Sequence, residues 1–136
     1  MDASKVKKIA LKNVRILKRI FGLNSWLIEV KVETIPKEDT VANVYYQPNY
    51  RKATVTFDPE KNDDELYLLD SIRHEMIHLM LSDFMNLYEA MSKVVSEDVM
   101  ELLDLQYHSA VEKTVGNIER MFDIGLKLNT KGLLKK

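Results

Sequence analysis

From Asn62 to Leu81 the chain carries neither glycine nor proline and is dense in apolar residues, so at this length a helix is the element it can sustain. Inside it stands Arg73-His74-Glu75-Met76-Ile77-His78-Leu79. On a helix His74 and His78 are one turn apart, and both imidazoles project from one face, where they can share a metal ion. Glu75, offset by one residue, sits beside that face and can reach a water held there without becoming a ligand. The chain has three histidines, and this motif uses two of them.

Two imidazoles do not complete a catalytic zinc site, which takes three protein ligands and leaves one position open. Residues 79–107 contain no histidine, so the third ligand must come from further along the chain. Glu112 and His108 are the candidates, themselves one turn apart on a helix. Val111 and Val115 bracket Glu112 towards an expected core side, where an uncompensated carboxylate would be costly and a metal would explain it. Glu112 is therefore the first choice, with His108 as the alternative ligand, a hydrogen-bonding neighbour or an oxyanion stabiliser. Glu101 and Glu119 lie near the same helical line. On the motif helix Asp70, one turn before His74, could accept an imidazole N–H and fix its tautomer. Tyr67 and Tyr107 could each donate to a developing oxyanion. The methionines read as core filler.

Around this stretch the pattern is mixed. Residues 4–21 read as a helix capped by Ser4 and stopped by Gly22. Residues 26–34, 41–47 and 50–57 alternate as strands, bounded by Pro36, Pro48-Asn49 and Asp58-Pro59. The helix after them spans 63–81, capped by Asn62 or Asp63, with Leu66, Leu69, Ile72, Met76 and Leu79 as its core stripe. After a break at Ser82-Asp83 comes a short apolar piece, Phe84 to Val95. A long helix capped by Ser96 then runs from Glu97 to Leu128, with Leu102, Leu105, Ala110, Val111, Val115, Ile118 and Phe122 on its apolar side. The expected fold class is α+β: an N-terminal helix, a small three-stranded, mainly antiparallel sheet, the motif helix and a long C-terminal helix. One domain over residues 1–136 is expected, with a loose basic tail at 129–136.

Composition narrows the function classes. The formal net charge is −1, so the molecule as a whole is not built to bind nucleic acid or a membrane, and neither is expected as a partner. Charge is uneven, however: residues 4–19 carry Lys5, Lys7, Lys8, Lys12, Arg15, Lys18 and Arg19, a face that could meet acidic partners. There is no cysteine, which excludes disulfides and thiolate metal sites. The N-terminus lacks the continuous apolar run of a signal peptide, and no window reaches transmembrane length, so a cytoplasmic location is expected.

The order of elements, with His74-Glu75-Met76-Ile77-His78 on one helix and Glu112-Lys113-Thr114-Val115 on the next, resembles a minimal zincin metallopeptidase. The strand Arg51 to Pro59 adds to the likeness, which is to the small metallopeptidases of bacteriophages and prophages in particular. The resemblance implies a zinc ion held by His74, His78 and Glu112, with Glu75 as general base in peptide-bond hydrolysis. It also implies a protein or peptide substrate laid as an added strand along Val41 to Gln47 or Tyr50 to Phe57. The third-ligand histidine of the SprT-like proteases would here have to be His108. A different class remains open: a non-catalytic zinc-binding or interaction module on the same fold, with the basic N-terminal helix as its contact surface. The segment Ser82 to Ser96 could act as a lid or only as packing.

Overall fold

A computed structural model describes residues 1–130, with side chains as far as Asp123. The expected tail falls mostly on residues 131–136, outside the described residues; Asn129 and Thr130 continue the last helix. The elements are α1 (Ala3–Ile20), β1 (Leu27–Val32), β2 (Ala42–Gln47), β3 (Lys52–Phe57), α2 (Glu65–Met80), α3 (Ser82–Ser92) and α4 (Glu97–Thr130). The class is α+β. The chain divides into two compact units, Met1–Leu87 and Tyr88–Lys136. Among the described residues no helix is long and apolar enough to cross a membrane.

In the first unit the N-cap of α1 is Asp2, not Ser4. Its carboxylate accepts from the Ser4 and Lys5 N–H groups, at 2.6 and 3.3 Å, which Ser4, already two residues into the helix, cannot do. The C-terminal stop is as expected. Gly22 takes φ +68°, which lets Leu23 N–H reach the Lys18 carbonyl at 2.8 Å and Gly22 N–H the Arg19 carbonyl at 3.3 Å.

The sheet is mixed rather than mainly antiparallel. Its order is β1-β3-β2: β3 pairs antiparallel with β2 and parallel with β1. The chain leaves β1, passes along residues 33–41 to the far edge, and returns through a 3-10 turn at Pro48–Tyr50 so that β3 inserts between the other two. Composition suits this order. Lys31 and Glu29 ride on an edge, whereas β3 brings Ala53, Val55 and Phe57 to the core and has Thr56 buried as well. Because β3 is paired on both sides it has no free edge. Of the two segments expected to take an added strand, only the one forming β2 can do so.

One face of the sheet is covered by α1 and α2. Val6, Ala10 and Val14 from α1, Leu68, Ile72, Met76 and Leu79 from α2, and Val30, Ala42, Val55 and Phe57 from the sheet form one core with Trp26. Each of the Val, Leu, Ile, Met and Phe side chains contributes roughly 1.5–3 kcal/mol on burial. The stripe on α2 is shifted from expectation: Leu68 is buried in place of Leu66, which is 76 % exposed.

In the second unit, α4 begins where expected, with the Ser96 carbonyl accepting from Met100 N–H at 2.9 Å. Its apolar side is only partly used. Val115 is buried and Val111, Ile118 and Phe122 are half-buried, but Leu102, Leu105 and Ala110 are exposed. The Tyr88 hydroxyl donates to Asp104, and its ring stacks on Tyr107 with centroids 4.3 Å apart, which ties the end of α3 to the first half of α4.

The turn after β3 holds the first unit together. Asp58 is fully buried, and its carboxylate accepts from Ile35, Glu60 and Lys61 N–H at 2.8, 3.0 and 3.4 Å. Burial alone would push this carboxyl up, but those hydrogen bonds and the Lys61 ammonium outweigh it and hold it below the usual value. A depressed carboxyl adds stability that is complete above its unfolded value of about 3.9 and is lost as pH falls through the folded value. Asp58→Asn is therefore expected to cost about 1–3 kcal/mol at pH 7. In urea unfolding, the gap between wild type and variant should narrow below about pH 4; a gap independent of pH would show that the carboxylate charge is not what stabilises the turn.

Candidate metal site on α2

Helix α2 starts when Asp64, in extended backbone, accepts from Tyr67 N–H at 2.9 Å. The expected caps were Asn62 and Asp63, and the start falls one or two residues later because Asn62 is occupied elsewhere. Its amide donates to the carbonyls of Val41 and Asp58 at 3.0 and 2.7 Å. Its side-chain oxygen accepts from Ser71, whose hydroxyl also lies 3.0 Å from the Tyr67 carbonyl. Ser71 thereby fixes the rotation of α2 about its own axis. The sequence offered Asn62 only as a cap and Asp58 only as part of a turn, and did not single out Ser71. The available signal was an Asp-Pro turn followed within four residues by an amide side chain, at the point where strand gives way to helix.

With α2 held this way, Glu75 is buried and His74 and His78 are half-buried. At about 100° per residue, Ser71, His78 and Glu75 project within roughly 60° of one another. The two imidazoles meet edge to face with centroids 4.8 Å apart, and their Nε2 atoms approach to 3.1 Å. Two nitrogens on one tetrahedral zinc, each at about 2.0–2.1 Å, stand about 3.3–3.4 Å apart. The histidine pair therefore already has close to the separation that a shared zinc would demand, and both ring edges carry a nitrogen of the kind it takes. Zinc fits this half of a donor set.

The other expected residues fall as follows. Asp70 does not orient His74: it is 63 % exposed and pairs with Arg73, one turn on, at 2.5 Å. Tyr67 is 46 % exposed, and its backbone serves the cap and Ser71. His108 lies 3.4 Å from Asp104, one turn before it, and edge-on to Tyr107 with centroids 5.5 Å apart. The spacing of Asp104 and His108 was the signal for that pairing. Burial, and secondarily Glu89, pushes the Tyr107 phenol up. The Tyr88 phenol is pushed up to about 12, chiefly by its hydrogen bond to Asp104. Glu112 and Glu101 are exposed on α4, and Glu119 is half-buried. The burial argument for a metal at Glu112 therefore does not hold: a carboxylate open to water has no desolvation to offset.

No family model, curated protein or solved structure matches the chain. What can be said of the site rests on its own chemistry. Ser71→Ala leaves the buried Asn62 oxygen without its α2 donor and is expected to destabilise the first unit by about 1–2 kcal/mol. The readout is the urea midpoint at constant slope; an unchanged midpoint would show that the Ser71–Asn62 bond does not hold α2.

Proposed function

We propose that the protein is a zinc-dependent peptidase of minimal zincin type. The observation that carries this reading is the 3.1 Å approach of the His74 and His78 Nε2 atoms on one helix, with Glu75 on the adjoining face. His74 and His78 each offer one ligand atom of a kind that zinc takes. In this reading Glu112, on α4, is the third ligand. When bound, zinc supplies an electrophile for the scissile carbonyl and lowers the pKa of water towards neutrality.

The chain's own residues do the rest. The imidazoles of His74 and His78 bind as neutral donors, each through Nε2. Glu75 takes a proton from the attacking water and returns it to the leaving amine, for which a carboxylate beside the ligands but outside their set is required. Its burial shields it from bulk water and strengthens its interaction with a developing positive charge. The free edge of β2 offers backbone groups to an extended peptide substrate. A peptidase reading explains why a carboxylate stands at position 75, where a purely structural metal site would have no use for one.

Protein purified without chelator is expected to carry close to one zinc per chain by metal analysis. Glu112→Ala should lose that zinc, whereas Glu75→Gln should keep it and lower cleavage of a peptide library by about 10²–10⁴-fold. Metal-free wild-type protein would overturn the zinc site. Zinc that survives Glu112→Ala but not His108→Ala would move the third ligand. Loaded protein with no Glu75-dependent cleavage would leave a binding module in place of the enzyme.

A further inference from the structure

On α1 the residues Lys5, Lys8, Lys12, Arg15 and Arg19 recur at intervals of three and four, so at about 100° per residue all five fall within roughly 80° of the helix circumference. They form one straight line about 21 Å long, at 1.5 Å per residue. All five are exposed. The helix contains no acidic residue, and among the described residues none of the five side chains is paired with a carboxylate. The opposite side of α1, Val6, Ala10 and Val14, is spent in the core.

We propose that this line of cations binds the phosphate backbone of double-stranded nucleic acid without regard to sequence. The observations select this occupant over others. A protein partner would be expected to find an apolar centre in the contact; here the exposed Leu11 and Ile16 flank the line and its centre is wholly cationic. Interfaces with nucleic acid are instead polar and strongly positive. Insertion into a membrane needs a broad free apolar face; Val6, Ala10 and Val14 are buried in the core, and the apolar residues that α1 leaves exposed, Leu11, Ile16 and Ile20, are split to either side of the basic line. Single strands are held by stacking bases on aromatic rings, and no aromatic residue lies on the line. A row of evenly spaced charges facing solvent matches a row of phosphates, and the net charge of −1 does not oppose it, because screening confines the interaction to about 8–10 Å. The inference is independent of the metal site.

The test is fluorescence anisotropy of a labelled 20-base-pair duplex with the full chain, at sodium chloride concentrations from 50 to 200 mM. Five phosphate contacts predict a slope of log K against log salt of about −4.5, an affinity loss of about 500-fold across that range. Lys8→Gln/Lys12→Gln/Arg15→Gln should reduce the slope to about −1.8, whatever the duplex sequence. Since these side chains are exposed, circular dichroism should be unchanged. Lys31→Gln/Lys52→Gln/Lys93→Gln removes the same charge elsewhere and should leave the slope as it was. The proposal is overturned by no duplex binding at 50 mM salt, by equal effects of the two triple variants, or by binding to phosphatidylserine vesicles with none to duplex.

Discussion

A carboxylate taken out of water must be given back its hydrogen bonds, and Asp58 recovers them from three backbone N–H groups and one ammonium. Those donors come from places the chain has to bring together. Ile35 belongs to the long passage between β1 and β2, and Lys61 grips the same passage through the carbonyls of Ile35, Lys37 and Thr40. The N-terminal amine adds a bond to the Pro59 carbonyl. A segment with no regular structure is thus pinned to the end of β3, and the strand order that puts β3 in the centre becomes affordable despite the loop it requires. The turn also hands on position. Asn62 follows Asp58 by one helical turn and carries the constraint into α2 through Ser71.

That chain of contacts explains why the histidines stand where they do. A helix packed only by leucines can rotate by tens of degrees at small cost, because apolar burial has no direction. A hydrogen bond from Ser71 to a buried amide has one. It sets Leu68, Ile72, Met76 and Leu79 against the sheet and leaves His74 and His78 at the margin of the core, half in contact with water. For the proposed metal-binding pair this is a useful depth, with each ring half-buried. Glu75 is placed deeper by the same rotation, so the residue proposed for proton transfer is more shielded from bulk solvent than either histidine.

The fold class and the motif helix were legible because each depends on local periodicity, which a sequence displays directly. The failures share a different cause. Alternation assigns the faces of a strand but not its neighbours, so nothing in residues 50–57 told that β3 would sit between β1 and β2 or run parallel to one of them. The stripe on α2 was misphased for a reason that helical arithmetic could have caught. Leu68 lies within about 40° of both Ile72 and Leu79 on the wheel, while Leu66 is more than about 100° away from them. The expected burial of Glu112 rested on Val111 and Val115, which are half-buried and buried but lie to one side of it on the wheel, while Leu105, within about 20° of Glu112, is exposed. Side-chain hydrogen bonds over long sequence separations, such as Asn62 to Val41, leave no periodic trace at all.

The basic line on α1 poses the opposite problem: its pattern is plain, but helix formation does not account for it. Like charges three or four residues apart repel by about 0.2–0.5 kcal/mol each. The line has four successive pairs of this kind, Lys5 with Lys8, Lys8 with Lys12, Lys12 with Arg15, and Arg15 with Arg19, so it costs the isolated helix about 1–2 kcal/mol. Lys5, Lys7 and Lys8 also sit near the helix N-terminus, where the macrodipole disfavours cations, and only Asp2 opposes them there. Glutamates at two of these positions would remove the repulsion and add favourable pairs with no change to the buried face. Stability alone therefore gives no reason to keep five cations in register over four turns, and a polyanion that gathers them does.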